Sequence, residues 1–543
     1  MANQTADNTI QQQIESALLE TKTLADIPAI HADLQPEKPA LTCGTRTLSY
    51  AQFAQSANRF ANAFQQIGLA PADRVAHLDL NSDYFFTLFF GCAQSNTVMT
   101  GINWRLAAPE IEYILNDSQA KVLFIGEPFF PLVESILPKL THLKTIITLS
   151  GNHRQWQSIE QWQTQFESKR PDIRIQPDDI VIQLYTSGTT GHPKGVELSH
   201  QVFFAFIQPL YDLRDNAELN WTQWYADDIS LIAMPCFHIG GAGWGTLGLI
   251  SGATNIVLKE FNPPDILSMI TQHRINKLFL VPAAIQFILQ LPQAATTDFS
   301  SLDYLIYGAS PIPLPLLQQA IEVFQCEFVQ VYGMTETTGT ATHLPPQDHS
   351  VSGNQRMQSA GKPMPGVEIK IIDQQQRPVA IGSIGEIAIR SPANMHGYWR
   401  LPEATAQTLV DGWILTGDAG YQDQDGYLYI QDRVKDMIVS GGENIYPAEI
   451  ESILYGHPDI LEVAIIGVPD ERWGEAVKAI VVLKPGHWAD AESILAFCED
   501  KIARYKRPKS VEFLTALPRN SSGKILKKDL RQKYWQGRTR AVN

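Results

Sequence analysis

The sequence predicts an α/β protein: a large N-terminal body of layered sheets and helices, followed by a small mobile α+β C-terminal domain. The first observation behind this is alternation. Short apolar runs suited to strands recur as VLFIG at 122–126, TIITL at 145–149, VIQLY at 181–185, YLIYG at 304–308 and FVQVYG at 328–333. Helix-like patterns such as LPLLQQAIEVF at 314–324 lie between them, and this alternation is the mark of α/β layers. The second is length, since 543 residues exceed what one hydrophobic core organises and so imply at least two domains. The third is a change of texture near residue 433. A Gly- and Asp-rich stretch there gives way to a compact pattern: helix near 448–455, strands near 461–467 and 477–483, helix near 492–504, strand near 511–514. That unit has an ordinary domain size. The expected division is a body over 1–434 and a cap over 435–543. No long low-complexity linker separates them, which suits a hinge better than a tether.

Within the body, residues 49–67 place Phe53, Ala57, Phe60, Ala61 and Phe64 on one helical face. RVAHLDL, just beyond, reads as a strand. From Ile229 to Leu258 there is no Asp, Glu, Lys or Arg, and the one basic side chain is His238. That length would span a bilayer. However, Pro235 and the glycines at 240, 241, 243, 245, 248 and 252 would break a spanning helix repeatedly. The expectation is a buried strand, loop and helix, and no transmembrane segment.

The net charge of −15 disfavours general nucleic-acid binding, which needs a basic footprint. The charge is uneven, because residues 501–543 carry +11 and the remainder −26. A solvated tail explains that on composition alone; a cationic lid over a polyphosphate explains it once the motifs are considered. Five cysteines lie scattered without a C-x-x-C pair, which argues against a zinc cluster or a disulfide framework and fits a reducing cytoplasm. The N-terminus, MANQTADNTIQQQIES, is polar and has no apolar signal core.

The strongest chemical signal is Tyr185-Thr-Ser-Gly-Thr-Thr-Gly-His-Pro-Lys-Gly195, entered directly from the strand VIQLY. Gly188 and Gly191 let the backbone approach an anion closely. Thr186, Ser187, Thr189 and Thr190 supply hydroxyl donors and Lys194 a charge. This is a phosphate cradle with a spacing different from the G-x-x-x-x-G-K-[ST] loop. Gly243-Trp-Gly-Thr-Leu-Gly248 matches a dinucleotide-binding pattern in form, but it lacks the acidic residue about twenty positions on.

The 185–195 segment resembles the signature of the adenylate-forming superfamily, and further motifs follow in the family's order, so the resemblance runs from about residue 28 to 534. Gln330-Val-Tyr-Gly-Met-Thr-Glu-Thr337 resembles the second motif; it implies Tyr332 against adenine, with Gly333 beside it, Thr335 on the α-phosphate and Glu336 on Mg²⁺ together with Thr186. Taken alone, these residues suit a capped helix start equally well. In Leu415-Thr-Gly-Asp-Ala-Gly420, Asp418 resembles the ribose-binding carboxylate. In Asp432-Arg-Val-Lys-Asp436, Arg433 resembles a second ribose contact and Lys435 the hinge. Gly441 and Gly442 leave room for the slim pantetheine arm of coenzyme A. Lys524, ending Pro518-Arg-Asn-Ser-Ser-Gly-Lys524, resembles the catalytic lysine of adenylation. Gly308 and Ala309 resemble the strand end lining adenine and acid pocket, and His238 resembles a residue beside the substrate carboxylate. Gly241 and Ala242, behind His238, are expected in the acyl pocket. Some long-chain members carry a gating Trp where this chain has Ala242, with Trp244 two positions on, which argues against a gated tunnel.

The resemblance implies an ATP- and Mg²⁺-dependent ligase. It would form an acyl-adenylate from a fatty or aryl acid and then an acyl-CoA thioester. A stand-alone enzyme loading a carrier protein and a non-catalytic acyl-binding protein are the competing readings. No Asp or Glu occurs in 231–245 to hold an amino group, which disfavours amino-acid substrates. A peripheral membrane contact is compatible with a lipid-like acid, and the oligomeric state stays open, a homodimer included.

Overall fold

The aromatic face over residues 49–67 is where the core begins. In the computed structural model, which describes residues 2–186, 192–433, 436–440, 443–499, 501–520 and 524–536, that segment is a helix over Tyr50–Gln66. The Ser49 hydroxyl accepts from the Gln52 amide and the Gln52 side chain from the Ser49 amide, which satisfies two donors that a helix start leaves open. Phe53, Ala57, Phe60, Ala61 and Phe64 are all fully buried. The helix Asp83–Ser95 packs against them at its Gly91, where a Cβ would lie 2.4 Å from the Phe60 Cβ. Phe124 meets this face edge-on, with Phe60–Phe124 ring centroids 5.4 Å apart, and Trp162 lies tilted against Phe60 and Phe64.

Among the described residues, four sheets carry the architecture. One runs in the order Gly397–Tyr398, Lys194–Ser199, Ile180–Thr186, Val98–Gly101, Arg74–Leu78, Val122–Ile125, Thr145–Thr148, Gln157–Ser158. It is parallel except for its first two strands. A second runs Lys362–Pro363, Thr342–Leu344, Glu327–Tyr332, Tyr304–Gly308, Lys277–Leu280, Ile229–Ile232, Thr254–Val257, Pro39–Cys43, Arg46–Ser49, with a parallel interior. Open sheets of this kind bind ligands outside the C-terminal ends of their strands. Thr186, Gly308 and Tyr332 are such ends.

The apolar run resolves into the strand Ile229–Ile232, the helix Ile239–Ile250 and the strand Thr254–Val257. Among the described residues, no helix is long and apolar enough to cross a membrane. The glycines of Gly243–Gly248 sit inside this helix, where they serve packing. A Cβ on Gly245 would lie 2.3 Å from the Phe86 ring, and one on Gly248 2.1 Å from Asn255 Oδ1.

A third, antiparallel sheet places Asp418 of Trp413–Gln422 opposite Arg433 of Leu428–Arg433. The fourth joins Ile438–Ser440, Glu443–Ile445, Ile460–Asp470, Gly474–Leu483 and Ser510–Phe513, with the helix Pro447–Leu454 against it. The helix expected over 492–504 covers only Ala491–Phe497. Buried Cys498 caps it, and the chain turns back so that the Lys501 ammonium lies 3.0 Å from the Phe497 ring centroid. None of the five cysteines is disulfide-bonded.

At the seam between the third and fourth sheets, half-buried charged groups cluster together. Lys527 reaches Asp432 at 3.2 Å and Glu451 at 2.9 Å, and Arg531 reaches Asp436 at 2.7 Å. Burial raises the pKa of the Glu451 carboxyl, with Lys527 acting against that.

Gly91→Ala is expected to lower the thermal unfolding midpoint. The added methyl must displace the Phe60 Cβ and also meets the Ala57 carbonyl at 3.1 Å, an overpacking worth about 1–3 kcal/mol. An unchanged midpoint would show that the two helices separate without cost.

Candidate active site

The Tyr185–Gly195 motif is built on a hairpin. Thr186 and Lys194 pair across antiparallel strands, so the segment between them leaves and returns at neighbouring points. Ser187, Gly188, Thr189, Thr190 and Gly191 lie outside the described residues. Gly195 is required by its neighbour, since a Cβ there would lie 2.4 Å from Gln183 Nε2. The Tyr185 hydroxyl turns inward and donates to Asp117 Oδ2 at 2.6 Å, which anchors the strand beneath the motif.

The strand Gly397–Tyr398 pairs with the outer side of Lys194–Ser199. This puts the Tyr398 ring under the Lys194 ammonium, 4.7 Å from Nζ to centroid. Its hydroxyl donates to Glu336 Oε1 at 2.7 Å. Glu336 is 5% exposed and sits in a one-turn 3-10 helix, Thr335–Thr337. That turn closes because Gly333 has no Cβ, which would lie 2.6 Å from the Gly339 carbonyl oxygen. One tyrosine thus links the motif's lysine to the second motif's carboxylate. Composition around Gly397-Tyr-Trp gives no hint of this; only the strand pairing reveals it. A buried carboxylate beside the expected phosphate loop fits Mg²⁺, which is held by one or two carboxylates and by the substrate's own phosphates.

Tyr332 ends its strand and donates from its hydroxyl to Asp418 Oδ2 at 2.7 Å. Asp418 is 6% exposed, and its amide donates to the Thr416 hydroxyl at 3.1 Å. Gly308 approaches the neighbouring strand so closely that a Cβ would lie 2.3 Å from the Val331 carbonyl oxygen, and Ala309 follows with φ at +69°. Ala309, Tyr332, Gly333, Asp418 and Lys524 line one chamber of about 270 Å³. The Lys524 turn is closed by its amide donating to Asn520 Oδ1 and the Asn520 amide donating to the Lys524 carbonyl, both at 2.8 Å. Sequence-distant residues of the nucleotide motifs and the lysine of the basic tail therefore meet. Thr335 opens the turn that carries Glu336 and is half-buried. The backbone of Arg433 faces Asp418, while its side chain, Lys435, Gly441 and Gly442 lie outside the described residues.

A second chamber, about 390 Å³, meets the first at Ala309, Val331 and Gly333, which line both. Its walls are largely apolar, with Phe206, Leu210, Phe279 and the helix residues Ile239, Trp244 and Leu247 prominent. The Trp244 indole N–H donates to the Leu231 carbonyl at 3.2 Å and its ring meets Trp224 at 5.0 Å. The helix face differs from the one expected. Gly240 and Gly243 line the chamber, whereas Gly241 and Ala242 turn into the protein. A Cβ on Gly241 would lie 2.3 Å from the Pro235 carbonyl oxygen, and Ala242 is 1% exposed in the main core. The helical period allows one face or the other, and the preceding turn takes 241 and 242. His238 stands just before the helix, against the Phe237 ring and outside the chamber wall. Burial, and secondarily Arg105, lowers its pKa to about 4, so it is neutral at pH 7.

Residues 29–399 match the model of the AMP-binding enzymes, and residues 449–524 that of the AMP-binding enzyme C-terminal domain. The chain belongs to the AMP-binding, adenylate-forming enzymes. It is 43% identical over 522 residues to the fatty acid–[acyl-carrier-protein] ligase ScoC of Streptomyces coeruleorubidus, covering 96% of this chain and 98% of that protein. It is 38% identical over 504 residues to the indoleacetate–CoA ligase of Aromatoleum aromaticum, covering 92% and 96%. The anthranilate CoA ligase AuaEII, solved with anthranoyl-AMP, superposes with a TM-score of 0.87 at 30% identity, over 94% of this chain and 97% of that one. As an AMP-binding enzyme, the chain is an adenylate-forming ligase that uses ATP to activate a carboxylic acid.

Tyr398→Phe removes the hydroxyl that donates to Glu336. A hydrogen bond to a charged group is worth about 1.5–3 kcal/mol, so acid-dependent ATP–pyrophosphate exchange is expected to slow by about 10- to 100-fold. Exchange at the parental rate would show that Glu336 holds its place without the phenol.

Proposed function

We propose that this adenylate-forming ligase activates a medium- or long-chain fatty acid and transfers the acyl group to the thiol of a phosphopantetheine arm. The observation that carries the fatty-acid reading is the largely apolar second chamber, which leads away from Ala309, Val331 and Gly333. A hydrocarbon chain suits aromatic and aliphatic walls of that kind. The similarity to ScoC favours a carrier protein as the thiol's bearer. Coenzyme A, the acceptor expected from the sequence motifs, is the second reading, and the similarity to indoleacetate–CoA ligase favours it.

A carboxylate is a poor electrophile because its charge repels nucleophiles. In the proposed first step a carboxylate oxygen attacks the α-phosphorus of ATP in line; the new O–P bond forms as the bond to pyrophosphate breaks. Thr186, Lys194 and the 187–191 segment hold the departing phosphates, while Tyr332, Asp418 and Arg433 hold the nucleoside. Mg²⁺, held by Glu336 with Thr186, would supply positive charge to the phosphate oxygens. Lys524 offsets charge developing between acid and α-phosphate, so the work is positioning and electrostatics. The cap, 435–543, then turns about Lys435. Lys524 withdraws, Gly441 and Gly442 admit the pantetheine arm, and its thiol sulfur attacks the acyl carbon; the thiol proton is lost and AMP leaves. His238 lines neither chamber, so it would reach the substrate carboxyl by turning away from the Phe237 ring.

Two measurements test this. Lys524→Ala should abolish adenylate formation in single turnover while retaining thioester formation from supplied acyl-adenylate; equal loss of both would defeat the division of labour. An acid panel scored by mass for thioester on coenzyme A and on a holo carrier protein decides the acceptor. Activation of aryl acids with no fatty acid accepted would overturn the substrate reading.

A further inference from the structure

The N-terminal helix, Ala2–Glu20, precedes the segment that matches the AMP-binding family, yet it forms part of the acyl chamber. Gln11, Ile14, Glu15, Leu18 and Leu19 line that chamber. Their spacing is that of a single face of an α-helix. Gln12, Gln13, Ser16 and Glu20 are exposed on other faces. Ile14 is 1% exposed, and Leu18 packs against the main core. Among its described residues, none lines the nucleotide chamber, and none is among the residues shared by the two chambers.

Gln11 fixes the helix in place. Its side-chain N–H donates to the Trp224 carbonyl at 3.3 Å and to Glu15 Oε1 at 2.9 Å, and its Oε1 accepts from the Ala226 amide at 3.0 Å. Trp224 in turn packs edge-on against Trp244 of the chamber-lining helix. The polar face therefore positions the helix, and the apolar residues at 14, 18 and 19 meet whatever fills the space.

We propose that this helix is the far wall of the acyl chamber and that Leu18 sets the length of acyl chain accepted for adenylation. The inference rests on the reading that the second chamber holds the substrate's hydrocarbon. A methylene that outruns the space must displace a packed wall, and one that falls short leaves a gap, so each step in chain length is discriminated.

The test uses the full-length enzyme and ATP–pyrophosphate exchange, which reads adenylation apart from the thiol acceptor, across straight-chain saturated acids in two-carbon steps. Leu18→Trp fills the space and is expected to move the optimum to shorter acids, lowering the long-to-short ratio of kcat/KM by about tenfold or more. Leu18→Ala empties it and is expected to move the optimum the other way. Shifts of opposite sign cannot come from a general folding defect. Unchanged profiles, or losses uniform over chain length in both variants, would overturn the proposal. A parental enzyme that exchanges aryl acids but no fatty acid would overturn the substrate reading itself, and is recognised without either variant.

Discussion

Burying a carboxylate is costly unless it is hydrogen-bonded, and Glu336, 5% exposed, is hydrogen-bonded by Tyr398. That contact organises much around it. Tyr398 is placed by the pairing of its strand with Lys194–Ser199, and its ring carries the Lys194 ammonium. The next residue continues the support: the Trp399 indole donates to the Asp117 carbonyl at 2.8 Å, and the Arg74 guanidinium lies 3.5 Å from its ring. One phenol thus contacts both a cation and a carboxylate, its ring under the Lys194 ammonium and its hydroxyl on Glu336.

The seam beside the nucleotide chamber follows a different logic. Lys527, Asp432 and Glu451 are half-buried, and Lys527 and Asp432 belong to different sheets' surroundings. Burying such charges returns little net stability, because desolvation consumes most of the attraction. What the cluster does confer is geometry: few relative positions of the two units satisfy all its partners. The chamber with Tyr332, Asp418 and Lys524 exists in the arrangement that satisfies them.

Much of this was legible in the residues. YLIYG and LPLLQQAIEVF form the strand Tyr304–Gly308 and the helix Leu314–Phe324 as read, because apolar runs bounded by turn residues have few alternatives. Tyr332, Asp418 and Lys524, singled out in separate motifs, line one chamber. Gly240 and Gly243 line the second chamber in place of the expected Gly241 and Ala242, because glycines and alanines carry no apolar contrast from which to phase a helix. The N-terminal helix went unread because three scattered aliphatic residues among glutamines do not announce a face until something is found opposite them. Tyr398 was invisible for a related reason, as its partner Glu336 is brought to it only by the fold.

Ala309, Val331 and Gly333 face both chambers. On the proposed assignment of the two chambers, a substitution there alters the fit of nucleotide and acid together, so these positions are poor places for an enzyme to change its taste. The rest of the acyl wall is free of that double duty. Diversification of such enzymes therefore has a direction built into it: the chemistry stays anchored at the shared waist while novelty accumulates at the periphery.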